Sequence, residues 1–378
     1  MYIGRVVHVF YPEVIGDPFN AYDLSLRQTQ AGNKVAVFTW TKRRSSYVEY
    51  VNDNFKIFRL RGLNMALTPF FSEYPLIPNL SEFIEKESPD ILHAHSHLFL
   101  TTFYSIRASR KIGIPSIVSV HGLIADRDIL TNFLQSAYLH SLTSWIFKNS
   151  TITICLTKSD ANQVLQLGCP PEKLRIVPNA VDTEFFKPYP NMERDDLVVW
   201  TGRFVPEKGL TDLIKAAKIV VSINSRVKFL LIGGGPLKSR LFNLIRNFHL
   251  EKNVFLIGPV GKEEIAKYLA EASIFVFPSS REGMPKSILE AMSAGKPMIA
   301  SDIPGINEIV KDGVNGVLVP PKNPEKLASA ILTLLEDENL RKKMGKCARN
   351  IALERFSWEK ILNMLSSVYE EAIRIGVE

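Results

Sequence analysis

The stretch Ile274-Phe275-Val276-Phe277-Pro278-Ser279-Ser280-Arg281-Glu282-Gly283-Met284-Pro285-Lys286-Ser287-Ile288-Leu289-Glu290-Ala291 contains the change of period that decides the fold. Ile274–Phe277 is a short, β-rich apolar run, as expected of a strand buried on both faces of a parallel sheet. A polar loop with Gly283 follows. Pro285 then opens a helical pattern over Pro285–Ala294, since its fixed φ suits a first helical turn. A strand that passes through a loop into a helix is the repeating half of a βαβ unit.

The alternation extends in both directions. Around this stretch, Leu197–Trp200, Lys228–Ile232, Val254–Ile257, Pro297–Ala300 and Gly316–Val319 read as strands. Thr211–Ile223, Leu237–Phe248, Lys262–Ala270 and Pro324–Glu336 read as helices. Earlier in the chain, Gly4–Phe10, Val35–Thr39, Ile57–Leu60, Ile91–Ala94, Ser116–Val120 and Thr151–Leu156 repeat the strand pattern. Ala21–Ala31, Leu80–Glu87 and Thr101–Lys111 lie between them as helices. Lys187-Pro188-Tyr189-Pro190-Asn191 interrupts the rhythm and reads as an extended linker. The expectation is an α/β protein with two doubly wound, Rossmann-like domains. Residues 1–187 form the first, 188–196 the linker, and 197–357 the second. Residues 358–378 form a terminal helix, with apolar Ile361, Leu362, Leu365, Val368 and Tyr369. In doubly wound sheets ligands sit at the carboxyl ends of the strands, so a cleft is expected there.

Composition narrows the classes. The chain has 378 residues, 46% hydrophobic and 22% charged, which suits folded domains and not a disordered chain. Its net charge of +7 favours anionic ligands or an anionic membrane surface. No nucleic-acid motif accompanies that charge, so nucleic acid is not an expected partner. Cys155, Cys169 and Cys347 form no CxxC pair, which argues against a zinc site or disulfide scaffold and fits a reducing compartment. The opening stretch, broken by Arg5, does not read as a signal peptide, and no run is long enough to span a bilayer. A cytoplasmic protein is expected.

The first-turn amides of the helix after Pro285 are donors without intrahelical partners, and they carry partial positive charge. They can hold anionic or polyhydroxyl groups. Glu282 precedes that helix start and Glu290 lies about one and a half turns inside it. Two carboxylates so placed could grip hydroxyls on separate parts of one ligand. Taken alone, Glu282 could equally do no more than favour the helix dipole, and Glu290 no more than face solvent.

With its surroundings, the stretch resembles the signature of the retaining GT-B glycosyltransferases of glycosyltransferase family 4, the glycosyl transferases group 1. Ile176-Val177-Pro178-Asn179-Ala180-Val181-Asp182, with Phe185 and Pro188, is similar to the family's end of the first domain. Val199-Trp200-Thr201-Gly202-Arg203 with Glu207-Lys208-Gly209 resembles its phosphate-binding start of the second. Leu231-Ile232-Gly233-Gly234-Gly235-Pro236, Leu256-Ile257-Gly258, Gly295-Lys296-Pro297, Ser301-Asp302 and Asn315-Gly316 continue the resemblance in order and spacing.

The resemblance implies a nucleoside-diphosphate sugar donor, UDP- or GDP-linked, and transfer of a hexose-type sugar to a hydroxyl acceptor with retention. It implies no catalytic metal and no cofactor. Arg203 and Lys208 would bind the diphosphate, whose growing negative charge is best met by fixed cations. Glu290 would hold the ribose. Glu282, with amides near Gly283, Met284 and Pro285, would hold the transferred sugar. Gly258 and Val260 match the strand end that meets the nucleobase. His121 matches a histidine at the reaction centre, and Gly16 a glycine that lets the backbone approach the donor. The family usually has two adjacent glycines there, whereas this chain has Ile15 in one place. The terminal helix would pack back on the first domain. Another GT-B enzyme, such as an epimerase or phosphorylase, and a non-catalytic sugar-nucleotide binder remain as alternatives.

Other features keep two readings. The triple glycine Gly233–Gly235 reads as donor contact or as a tight turn. His93, His95 and His97 alternate as metal ligands on a strand would, but they equally suit cleft lining. Asp126-Arg127-Asp128 reads as a helix start or an acceptor-side loop. Leu63–Pro78 and Leu130–Phe147 are apolar. They read as core packing, or as a site for a lipid-linked acceptor with peripheral contact at the inner face of the membrane.

Overall fold

The computed structural model describes residues 1–12, 17–65, 74–121, 139–189 and 192–377. Gly16, Asp126-Arg127-Asp128 and parts of both apolar stretches lie outside the described residues. The chain divides into two units, Met1–Val177 with Leu362–Glu378, and Pro178–Ile361. The division falls ten residues before the expected linker at 188–196. The reason is packing. Val181 donates its amide to Phe356 O at 2.8 Å, and Phe186 is fully buried, so the segment after Pro178 belongs to the second core.

In the first unit the strands are β1 (Tyr2–Val6), β2 (Lys34–Thr41), β3 (Tyr47–Asn52), β4 (Phe55–Arg61), a two-residue ribbon β5 (Leu63–Asn64) with β6 (Pro75–Leu76), β7 (Ile91–His95), β8 (Ser116–Ser119), β9 (Ile152–Cys155) and β10 (Leu174–Ile176). The main sheet has the order β10-β9-β8-β7-β1-β2-β4-β3. Its neighbours are parallel except β3 and β4. Helices Asp17–Gln30, Leu80–Glu87, Leu100–Ile112 and Lys158–Gln166 connect the strands. Val6, Phe38, Phe58, Leu92 and Ala94 build one core face, with Leu80 and Ile84 of a covering helix. Ile106, Val118, Ile146 and Phe147 build another, with Trp145 and Leu142 packed against it. The described end of the second apolar stretch is thus core. In the first stretch Tyr74 and Ile77 are buried, while Leu63 and Met65 are exposed.

The second unit holds β11 (Leu197–Arg203), β12 (Lys228–Gly234), β13 (Val254–Ile257), β14 (Ile274–Phe277), β15 (Met298–Ser301) and β16 (Gly316–Val319). The order is β13-β12-β11-β14-β15-β16, all parallel. Strand order reverses between β11 and β14. In doubly wound sheets the carboxyl ends of the strands at such a reversal are the general place for a ligand. β11 runs three residues further than its apolar run, because Gly202 and Arg203 continue the ladder opposite Gly233 and Gly234. Helix Trp358–Val377 closes the chain, with its residues from Leu362 onward in the first unit.

Candidate active site

The second-unit site grows from the carboxyl ends of β11 and β14. Arg203 is the last residue of β11 and is exposed. A short 3-10 turn, Pro206–Lys208, follows and ends at Gly209, whose φ is +68°. A Cβ there would lie 2.0 Å from Pro278 O, so only glycine lets the two loops touch. Ser280 N donates to Glu207 O at 2.8 Å and completes the join. This contact carries Lys208 to Glu282, with Nζ 2.5 Å from Oε1. Both side chains are mostly shielded, 16% and 11% exposed, so the pair is weakly screened and holds its geometry. The Lys208 ammonium also lies 5.2 Å from the Phe277 ring centroid.

The loop Glu282–Pro285 is held from two further sides. Asn179 Nδ2 donates to Met284 O at 2.9 Å. Gly305, at φ +86°, packs so closely that a Cβ would lie 2.2 Å from Gly283 O. Neither contact was singled out in the sequence; Gly305 in Pro304-Gly305 and the Asn of Pro178-Asn179 were the available signals. Pro285 stands at the N-cap of helix Lys286–Ser293 and gives it no side-chain hydrogen bond. The helix therefore starts one residue later than expected, and its first amides face the loop. Glu290 is half-buried within this helix. The fold thus brings Lys208, Glu282 and the Gly283–Pro285 backbone together. Gly258 and Val260 follow β13, the edge strand, and a Cβ at Gly258 would meet nothing within 4 Å. In the triple glycine, Gly234 O accepts from Phe204 N at 2.7 Å, so these residues pack on the backbone after β11.

The first unit collects histidines at its own strand ends: His8 after β1, His93, His95 and His97 along and after β7, and His121 after β8. His93 Nδ1 lies 2.6 Å from Tyr369 Oη and its Nε2 2.7 Å from Ser119 Oγ. His95 Nδ1 lies 3.0 Å from His121 Nε2. Ser96, at φ +68°, breaks the strand, so His97 leaves that face and packs near Phe147. Both nitrogens of His93 are thus committed to hydroxyls. No group of three or more His, Cys, Asp or Glu placed to hold a metal occurs among the described residues. Burial pushes His8 and His97 down to about 3 and holds His93 and His95 well below the ordinary imidazole range, helped by nearby positive groups.

Two doubly wound α/β units, the second with cations and a helix start at its strand-order reversal, have the architecture of a GT-B protein. The family model for glycosyltransferase family 4 matches residues 20–185, and that for glycosyl transferases group 1 matches residues 181–351. The chain is 32% identical over 295 residues to a glycosyltransferase of Methanocaldococcus jannaschii, covering 76% of this chain and 77% of that one. It is 29% identical over 348 residues to the Escherichia coli UDP-Gal:alpha-D-GlcNAc-diphosphoundecaprenol alpha-1,3-galactosyltransferase, covering 88% of each. The solved structure of Anabaena Alr3699/HepE in complex with UDP superposes with a TM-score of 0.79 at 18% identity, covering 98% of this chain and 100% of that one. The chain belongs to the glycosyl transferases group 1, glycosyltransferase family 4, and is a glycosyltransferase.

Proposed function

We propose that this glycosyltransferase moves a hexose-type sugar from a UDP- or GDP-linked donor to a hydroxyl acceptor, with retention of anomeric configuration and without a catalytic metal. The observation that carries the reading is the Lys208–Glu282 pair held at the β11/β14 reversal beside the start of helix Lys286–Ser293. Lys208 and Arg203 neutralise the diphosphate as the sugar bond breaks. The helix-start amides add donors that need no reorganisation. Glu282, with the Gly283–Pro285 backbone, holds the transferred sugar, and its contact with Lys208 keeps the two groups together. Glu290 takes the ribose hydroxyls, and Gly258 and Val260 meet the base. By the family resemblance, His121 and Gly16 also serve the donor.

A lipid-linked acceptor is supported by the exposed Leu63 and Met65, the net charge of +7, and the diphosphoundecaprenol acceptor in the name of the Escherichia coli relative. No helix among the described residues is long and apolar enough to cross a membrane.

The test is transfer by the purified protein from UDP-glucose, UDP-galactose, UDP-N-acetylglucosamine and GDP-mannose onto glycan and polyprenyl-diphosphate acceptors. NMR reads the product's anomeric configuration. Retention, unchanged by EDTA, is expected. Inversion, or loss of transfer on chelation, would defeat the reading.

A further inference from the structure

We propose that Arg349 is a positioning residue that, with the strap Asn179–Phe186, fixes where helix Lys286–Ser293 sits along its own axis and so how Glu290 meets the ribose. This rests on the reading that Glu290 takes the ribose hydroxyls.

Helix Lys286–Ser293 has eight residues, about 12 Å of rise, and a helix so short is not stable by itself. Its head receives no side-chain hydrogen bond from Pro285 at the N-cap. Its tail is closed completely. Glu290 O accepts from Ala294 N at 2.9 Å, Ala291 O from Lys296 N at 3.0 Å and Met292 O from Gly295 N at 2.9 Å. Gly295, at φ +71°, supplies the left-handed residue that such a turn needs. The remaining one of the last four carbonyls, Ser293 O, accepts from Arg349 Nη1 at 2.8 Å. A cation at that end also favours the helix dipole.

The same nitrogen reaches Thr183 O at 2.7 Å and Phe186 O at 3.0 Å, and Ser293 Oγ donates to Phe186 O at 2.5 Å. Arg349 thus ties the tail of the helix to one short stretch of chain. That stretch also holds the head, where Asn179 Nδ2 donates to Met284 O at 2.9 Å. Between the two ties it is folded into a turn, with Phe186 N donating to Asp182 O at 2.9 Å and Phe185 N to Asp182 Oδ1 at 3.0 Å. A helix gripped at both ends by one folded strap cannot slide along its axis. Arg349 is itself placed from behind. Gly345, one turn earlier on helix Glu338–Ile351, packs so closely that a Cβ there would lie 2.2 Å from Gly295 O. Glu290 stands less than one turn before Ser293, so displacement of the tail is passed on to its carboxylate.

The test is the calorimetric affinity of the full chain for UDP, GDP and their 2′,3′-dideoxy forms, which lack the hydroxyls that Glu290 would hold. The unaltered protein should bind its nucleotide about 10-fold or more tightly than the dideoxy form, because hydrogen bonds to a charged carboxylate are worth that much. Glu290→Ala should bring this ratio close to one. Arg349→Met keeps a long side chain but donates nothing, and should lower the ratio to about 3-fold or less through misplacement of Glu290, with affinity for the dideoxy nucleotide unchanged. Arg349→Lys returns a point charge without the planar fork and should recover part of the ratio. A general loosening of the fold would weaken both nucleotides alike and leave the ratio unmoved. If Arg349→Met does not fold, Ser293→Ala cuts one link of the same tie and should lower the ratio by about 2-fold. An unchanged ratio in Arg349→Met, or in Ser293→Ala where that variant decides, would overturn the proposal. A ratio of one in the unaltered protein, or a ratio untouched by Glu290→Ala, would instead overturn the ribose role given to Glu290, which separates the two failures.

Discussion

The two sheets present different chemistry at equivalent places. At the strand ends of the first unit stand five histidines, four of them held neutral by burial and set among Phe99, Phe147 and Tyr369. At the strand ends of the second stand Arg203, Lys208 and Glu282, with glycines that let backbone meet backbone. A doubly wound sheet dictates where a site forms but not its polarity. The second unit keeps full charges, which suit the diphosphate of the proposed donor. The first offers neutral donors and acceptors, which suit hydroxyl groups and cost less to bury than charges.

The largest expected effect would test the neutrality of the first unit. His8 and His97 are down to about 3 in the folded chain, against 6.5 ordinarily. The folded state therefore binds fewer protons than the unfolded state below pH 6.5. Their contribution is complete above that pH and is lost as pH falls toward 3. Below about pH 6 these two residues alone should remove roughly 3 kcal/mol of stability per pH unit. Urea unfolding at pH 7.5, 6.0 and 5.0 measures it, and a flat profile would mean the histidines are not buried neutral.

Next comes the charge of the second unit. Lys208→Ala removes the cation proposed to meet the leaving diphosphate and takes its ion-pair partner from Glu282. Turnover should fall by about 10²- to 10³-fold, with the chain still folded. Steady-state kinetics with circular dichroism checks both halves of that statement. A smaller effect follows from Gly305→Ala. Its φ of +86° and a Cβ position 2.2 Å from Gly283 O should cost about 1–3 kcal/mol and displace the Glu282–Pro285 loop. The donor KM should rise more than kcat falls. The smallest concerns the terminal helix. Arg175 Nε donates to Glu371 Oε2 at 2.9 Å, and the two side chains are 31% and 28% exposed. Glu371→Gln should cost at most about 1 kcal/mol in thermal unfolding. A larger loss would show that the pair, and not Tyr369, anchors the segment.

How much of this was legible depended on burial. Strand Ile274–Phe277 and helix Pro324–Glu336 have the bounds their apolar patterns indicated, because a fully buried parallel strand and an amphipathic helix write burial directly into sequence; the edge strands Val254–Ile257 and Gly316–Val319 kept their bounds as short apolar runs although only partly buried. β3 (Tyr47–Asn52) was missed. It is a mostly exposed antiparallel edge strand, so no apolar period marks it. Helix Glu338–Ile351 was missed for a related reason, since charged residues dominate it and only Met344, Gly345, Ala348 and Arg341 are buried. In the candidate site, Lys208, Glu282 and the Gly283–Pro285 stretch were singled out by residue type, and the fold brings them together. The Asn179–Met284 clamp and the His95–His121 contact could not be read that way. Both depend on residues 105 and 26 positions apart meeting across the fold, which local pattern does not encode.

Isothermal calorimetry of UDP and GDP against the purified chain and an Arg203→Ala/Lys208→Ala variant asks whether the second unit's charges exist to hold a nucleoside diphosphate. Saturable uptake of one of the two by the unaltered protein, weakened at least tenfold in the variant, is the expected result. No uptake of either nucleotide, or equal affinity in the two proteins, would contradict it.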